Sequence, residues 1–287
     1  MTSGARTDVL AFYRELPFNH RRDARTQAGL ISGADPARGY PPLVTALRPG
    51  LRLLDVGCGT GWLPIAAALH HRCLANGVDF NPVAVDRARE VADLLGVPVS
   101  FEVADLFTYR PGPRFDLVTS LGVLHHTDDC VGGLVHIGQS MVAGGGRMII
   151  GLYHEHAREP FLAHFDRMRR RGASEDALYA EFRRLRHGGA APADDDDTFL
   201  RSWFRDQVLH PHETRHTLAE MLPVLADIGF TLESTSVNGF GPLPDDPGEL
   251  RYRERALAHD ARRALAAGRY DPGFFLFQAV RTKGAVR

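Results

Sequence analysis

The sequence predicts an α/β protein built on a doubly wound, mostly parallel seven-stranded sheet. Three observations predict it. Short apolar runs alternate with helical patterns from Leu51 to Tyr153, the pattern of a parallel sheet with helices on both faces. A glycine-rich turn inside LLDVGCGTGW (Leu53–Trp62) joins the first run to the first helix. The 287 residues are 44% apolar and 24% charged, the balance of a chain that buries a sizeable core.

The elements follow in order. Residues 1–49 form a helical lead-in: VLAFYREL has helical apolar spacing, LPFNHRRDA interrupts it, and DPARGYPP breaks it before the short LVTAL. LRLLDVG is a buried strand ending in glycines, and GWLPIAAALHH is a helix. CLANGVDF is the second strand, followed by the helix NPVAVDRAREVADLLG, closed by Gly96. VSFEVADL and FDLVTSLG are the third and fourth strands; Asp128 or Asp129 caps the next helix, and RMIIGLY is the fifth strand. The alternation then stops. Residues 154–216 are rich in Arg, His and aromatics, and predict helices near 159–171, 174–187 and 198–209 around the GGAAPADDDD linker. The run Asp194–Asp197 is expected to be a solvated loop, because adjacent carboxylates repel unless hydrated. The helix TLAEMLPVLADIG, the strand FTLESTSV, a helical excursion over 248–267 and the strand PGFFLFQAVR complete the chain. This organisation predicts a lid (1–49), a Rossmann-like domain (50–153 and 217–287) and an inserted helical cap (154–216).

A formal net charge of −1 gives no general attraction to nucleic acid or anionic membrane. The arginines Arg167, Arg169, Arg170 and Arg171 are expected to form a solvated helix face, with an anion clamp as the alternative. Cys58, Cys73 and Cys130 offer neither a disulfide framework nor a cysteine zinc site. The N-terminus lacks an apolar signal core, and no apolar run approaches the roughly 20 residues of a membrane span. The expectation is a soluble cytoplasmic protein with a small-molecule partner, its oligomeric state open.

The glycine turn carries the chemistry. It lets backbone approach a ligand closely beside the unpaired N–H groups of a helix start. A dinucleotide fingerprint requires G-x-G-x-x-G. Here the glycines are Gly57, Gly59 and Gly61, and Trp62 stands at the last glycine position. Asp55, two residues before the turn, favours a cationic ligand over a pyrophosphate. D-V-G-C-G-T-G after a first strand resembles the first motif of class I S-adenosylmethionine (SAM) methyltransferases. GVDFNP, VADL, FDLVTSLGVLHH and GGGRMIIGLY follow that family in order over Leu51–Tyr153. The resemblance implies SAM as cofactor, leaving S-adenosylhomocysteine (SAH). It implies that Asp79 binds the ribose hydroxyls and Asp105 the adenine amine. Phe80 then lies against the adenine, and Asp55, Gly57, Cys58, Gly59, Gly61, Ala104, Leu106 and Leu121 complete the cofactor site.

The implied reaction is methyl transfer to O, N or C of a small molecule, with natural-product biosynthesis one setting. It needs an aligned acceptor and a proton acceptor, for which histidine is the usual residue. His125, following the fourth strand, is expected to face the acceptor, and His126 to be packed. Tyr153 and His154, at the end of the fifth strand, are further candidates, as are His210, His212 and Glu213. Tyr13, Phe18, Trp203 and Phe204, with Phe161 and Phe165, are candidates for the acceptor pocket. S-L-G-V stands where N-P-P-Y would mark a nucleobase or glutamine methyltransferase. HETRH (His212–His216) spells the H-E-x-x-H zinc-peptidase pattern. The following T-L-A-E forms a capping box, so the helix starts only at Leu218 and the histidines precede it. No metal is expected to be required; a histidine-bound metal, a zinc peptidase, an NAD-dependent oxidoreductase and a SAM-binding protein without catalysis are the alternatives.

Overall fold

The computed structural model describes residues 7–188 and 196–282. Its strands are β1 (Arg52–Val56), β2 (Leu74–Asp79), β3 (Ser100–Val103), β4 (Phe115–Leu121), β5 (Val142–Tyr153), β6 (Phe230–Thr235) and β7 (Phe274–Arg281). They form one sheet in the order β3-β2-β1-β4-β5-β7-β6. The first five run parallel, and β7 lies antiparallel between β5 and β6. This is the mixed seven-stranded, doubly wound sheet expected from the alternation, and it is the class I methyltransferase fold. The C-terminal ends of β1, β2 and β4 share one edge, where ligands of such sheets bind.

Local chemistry accounts for most helix ends. α1 (Thr7–Glu15), α2 (Ala24–Gly33) and α3 (Pro41–Ala46) make up the lead-in. Helix α2 was not anticipated, although its buried Ala24, Gln27, Ala28 and Ile31 have helical spacing, and Asp23 accepts from Thr26 N at 2.7 Å as its cap. α4 (Trp62–His71) follows the glycine turn. α5 (Pro82–Leu95) starts at an Asn81 cap and ends at left-handed Gly96. Asp129 caps α6 (Cys130–Ser140) through Gly132 N.

After β5 come α7 (Glu155–Arg170), α8 (Glu175–Arg186) and α9 (Asp197–Phe204). α9 runs into a π-helical turn, Arg205–Leu209, which buries Asp206 and Gln207. These helices hold a separate apolar cluster of Phe161, Phe165, Tyr179, Phe182, Leu200 and Phe204. Asp194 and Asp195 lie outside the described residues. Asp196 is buried and caps α9, and Asp197 accepts from Tyr179 and Arg201, so this half of the acidic run is bonded rather than free in solvent.

HETRH is extended, not helical. His216 N donates to Tyr153 O (2.9 Å) and Glu155 N to His216 O (3.0 Å), so the stretch pairs with the end of β5. Thr217 caps α10 (Leu218–Asp227), and the full capping box with Glu220 is present. The two histidines therefore never share a helical turn, which overturns the peptidase alternative. No group of three or more metal-ligating side chains converges among the described residues. α11 (Pro247–Ala266) packs across α7. None of the described helices is long and apolar enough to cross a membrane.

Candidate active site

One cavity of about 270 Å³ opens at the C-terminal edge of β1, β2 and β4. Its floor is the glycine turn. Gly57 sits at φ +74°, and a Cβ there would lie 2.3 Å from Val123 Cγ2, so no other residue fits without displacing the turn after β4. Gly59, at φ +52°, has nothing within 4 Å of its Cβ direction and leaves ligand-sized space beside the backbone. Asp55, Asp79 and Asp105 all line the cavity.

The carboxylates differ. Asp55 accepts from Thr119 Oγ1 at 2.6 Å. Burial pushes it up to about 7, against the pull of the Thr119 hydroxyl and with help from nearby Asp79. Asp79 accepts from Gly59 N (2.8 Å, Oδ2) and Asn81 N (2.9 Å, Oδ1). Burial raises it, and those two N–H groups oppose the rise. Each oxygen keeps a second lone pair for a ligand hydroxyl. Asp105 accepts from Phe107 N (3.0 Å) and is half-buried.

The lead-in closes one side. Asn81 Nδ2 donates to Tyr13 O (2.9 Å), and Trp62 Nε1 donates to Asn19 O (3.1 Å). Tyr13 Oη donates to Asp206 Oδ1 at 2.5 Å, tying α1 to the π-helical turn. That same oxygen lies 3.7 Å from His126 Nε2. His126 Nδ1 donates to His212 O (2.9 Å), so Nδ1 carries the proton and the Nε2 lone pair is left without a hydrogen-bond partner. Burial holds His126 down at about 3, a neutral imidazole at physiological pH. His210 stacks on it at 3.7 Å and is held at about 3 for the same reason. Asp206 is raised by burial, and also accepts from Tyr153 Oη (3.3 Å) and Gln207 Nε2 (2.7 Å).

Of the expected cofactor-site residues, Asp55, Gly57, Cys58, Gly59, Asp79, Phe80, Ala104, Asp105, Leu106 and Leu121 line the cavity. Gly61 does not: it is the left-handed N-cap of α4, packed on Ala88. The two adjacent histidines exchange places relative to expectation. His126 lines the cavity, whereas His125 is turned into the sheet edge, its Nδ1 accepting from Tyr153 N (3.2 Å). The backbone of the turn decides this, and adjacency in sequence could not. His154 is fully buried as the cap of α7, with Nε2 donating to Glu254 (3.1 Å). Tyr153 and His210 stand behind the wall in the Asp206 network, and neither lines the cavity. His212 Nε2 donates to Thr127 O (3.2 Å), latching the turn that carries His126, and Glu213 is paired with Arg158 (2.7 Å). Tyr13 and Phe18 line the cavity; Trp203 supports Phe18 at 4.9 Å, and Phe204, Phe161 and Phe165 are core. Sequence reasoning missed Asn19, Asn81 and Asp206. Only Asn81 left a signal, the N-P pair after Asp79 that marks a helix start.

A family model described as a methyltransferase domain matches residues 47–181. That stretch, a little under half of the chain, is a class I SAM-dependent methyltransferase domain. Among curated relatives, the 27-O-demethylrifamycin SV methyltransferase of Amycolatopsis mediterranei is 34% identical over 108 residues, 37% of this chain and 39% of that protein. The ribosomal protein L11 methyltransferase of Thermosipho africanus is 40% identical over 74 residues, 26% of this chain and 28% of that protein. These matches thus span well under half of either relative. The solved structure of PKMT2 from Rickettsia typhi in complex with AdoHcy superposes with a TM-score of 0.56 at 13% identity, over 86% of this chain and 53% of that one. That likeness concerns the fold. The matched segment contains the glycine turn, all three strand-end aspartates and His126.

Proposed function

We propose that the protein transfers the methyl group of SAM to a small-molecule acceptor held between the sheet edge and the helices of the lead-in and of residues 154–216. The observation that carries this reading is the convergence of Asp55, Asp79 and Asp105 on one cavity floored by the glycine turn. The donor set fits the cofactor. Asp79 offers a lone pair on each oxygen to a diol, Phe80 an aromatic face to a base, Asp105 an acceptor for an exocyclic amine, and Gly59 the space for an aminoacyl chain. SAM supplies a sulfonium-activated methyl. The chain's own contribution is alignment, exclusion of water and removal of a proton. His126 is the proton acceptor in this reading, as the histidine whose ring lines the cavity among the described residues.

Saturating SAH should raise the melting temperature of the wild-type protein, because a ligand at 100 times its Kd contributes about 2.7 kcal/mol; NAD should not. Asp79→Asn should weaken SAH binding by roughly 10²-fold, the loss of two hydrogen bonds to a charged group at about 1.5 kcal/mol each. Thermal denaturation reads the first and titration calorimetry the second. Absence of any SAH stabilisation in the wild type sinks the reading.

A pH dependence follows from Asp55. With no ligand it titrates at about 7. A cation bound beside it favours the carboxylate, so binding near pH 7 should release a fraction of a proton. SAM affinity should then rise between pH 6 and pH 8, by no more than about tenfold per unit. Calorimetry in buffers of different ionisation enthalpy reads the proton directly. Proton uptake, or affinity falling over that interval, would place Asp55 away from the cationic end.

A further inference from the structure

The cavity wall that the three carboxylates leave free includes the rings of Tyr13, Phe18, Tyr40, Trp62 and His126, with Asn19 and Thr127 as uncharged polar neighbours. Its polar tips are already engaged where they are seen to bond. Tyr13 Oη donates to Asp206 and Trp62 Nε1 to Asn19 O, so these residues present rings to the cavity. Among the described residues, no lysine or arginine lines the cavity. The nearby buried arginines are committed elsewhere: Arg21 lies over Phe199 at 3.6 Å and faces Asp196, and Arg158 is held by Glu213 and Gln207. The arginine cluster at the end of α7 is exposed and away from the cavity. An anion enclosed here would find no counter-charge, and an unpaired buried charge is strongly disfavoured. An ammonium group would share the cavity with the sulfonium, and the carboxylates among its described lining residues are the three assigned to SAM.

We propose that the acceptor is an electroneutral molecule with a flat aromatic body, bearing its nucleophilic hydroxyl or amine, and that a carboxylate, phosphate or ammonium on the enclosed part excludes it. This rests on the reading of the cavity as a SAM site, and names its acceptor class. In the step, the acceptor heteroatom gains a bond to the methyl carbon as the methyl–sulfur bond breaks. The electron pair of that bond goes to sulfur, leaving SAH, and the acceptor's proton passes to His126. Phe18 and Trp62 act as specificity residues by offering ring faces and no charge.

The test uses wild-type protein saturated with SAH, titrated with phenols and aryl amines of one to three fused rings. Each is paired with a carboxylated and an aminomethylated partner, 2-naphthol and 6-hydroxy-2-naphthoate being one such pair. Neutral members should bind at least tenfold tighter than their charged partners, and with SAM should give a product heavier by one methylene unit in mass spectrometry. Phe18→Arg, checked for folding by its SAH-induced stabilisation, should shift the preference toward the carboxylated partners. Charged members binding as well as neutral ones, or no neutral member binding while SAH saturates the protein, overturns the proposal. Failure of SAH itself to bind is a different result, and removes the cofactor reading beneath it.

Discussion

Replacing His126 by glutamine is expected to lower kcat by about 10²–10⁴-fold, the usual cost of removing a positioned proton acceptor. SAH affinity should change by no more than a few-fold, because the ring is bonded to His212 O and takes no part in the hydrogen bonds of Asp79 and Asp105. The expectation follows from one unshared lone pair. Nδ1 is committed to His212 O, Nε2 has no hydrogen-bond partner among the described residues, and Asp206 Oδ1 lies 3.7 Å from it. A proton arriving on Nε2 therefore meets a carboxylate, which offsets the burial that otherwise keeps the ring neutral. Asp206→Asn should lower kcat in the same direction but by less, since it acts through His126. The sign of the pH profile is also set. Because His126 stays unprotonated down to about pH 3, it contributes no acid limb to kcat/KM above pH 4. Steady-state kinetics with an acceptor found by the neutral series measure all three. A His126→Gln variant within threefold of wild-type kcat would show that the proton leaves by another route.

Arg158→Met is expected to destabilise the fold by about 3–5 kcal/mol, the cost of breaking a buried charge pair from one side. Arg158 is 0% exposed, and its guanidinium is fully used. Nε and Nη2 donate to the two Glu213 oxygens (3.1 and 2.7 Å). Nη1 donates to Gln207 Oε1 and Pro272 O, and Nη2 also to Gln207 O at 2.8 Å. The cation also stacks on Tyr153 at 3.8 Å. This one side chain joins α7, the π-helical turn, the HETRH segment and the loop before β7. Its loss strands Glu213, so the double variant with Glu213→Gln should recover part of the stability. Urea denaturation checks both; a single-variant loss below about 1 kcal/mol would mean that the network is slack.

Much of this protein was legible in short windows of sequence. The strand–helix alternation, the Thr217–Glu220 capping box, the Gly96 stop and the three aspartates at strand ends each depend on residues within a turn or two of one another. HETRH shows the strength of such local rules: the T-L-A-E after it was sufficient to remove the histidines from the helix, and the structure has them extended. The acceptor side was not legible in this way. Which of His125 and His126 meets the cavity depends on how the turn after β4 is latched by His212, 86 residues away in the chain. Tyr13 reaches Asp206 across 193 residues, and Arg158 reaches Glu213 across 55. Near neighbours along the chain set the sheet, the aspartates at its strand ends and the start of α10, because periodicity, caps and glycine turns are local. Which of the two adjacent histidines lines the cavity, the lack of a cation among its described lining residues and the buried arginine network come from tertiary packing. Those depend on which distant side chains share a low-dielectric interior, where every charge must find its partner.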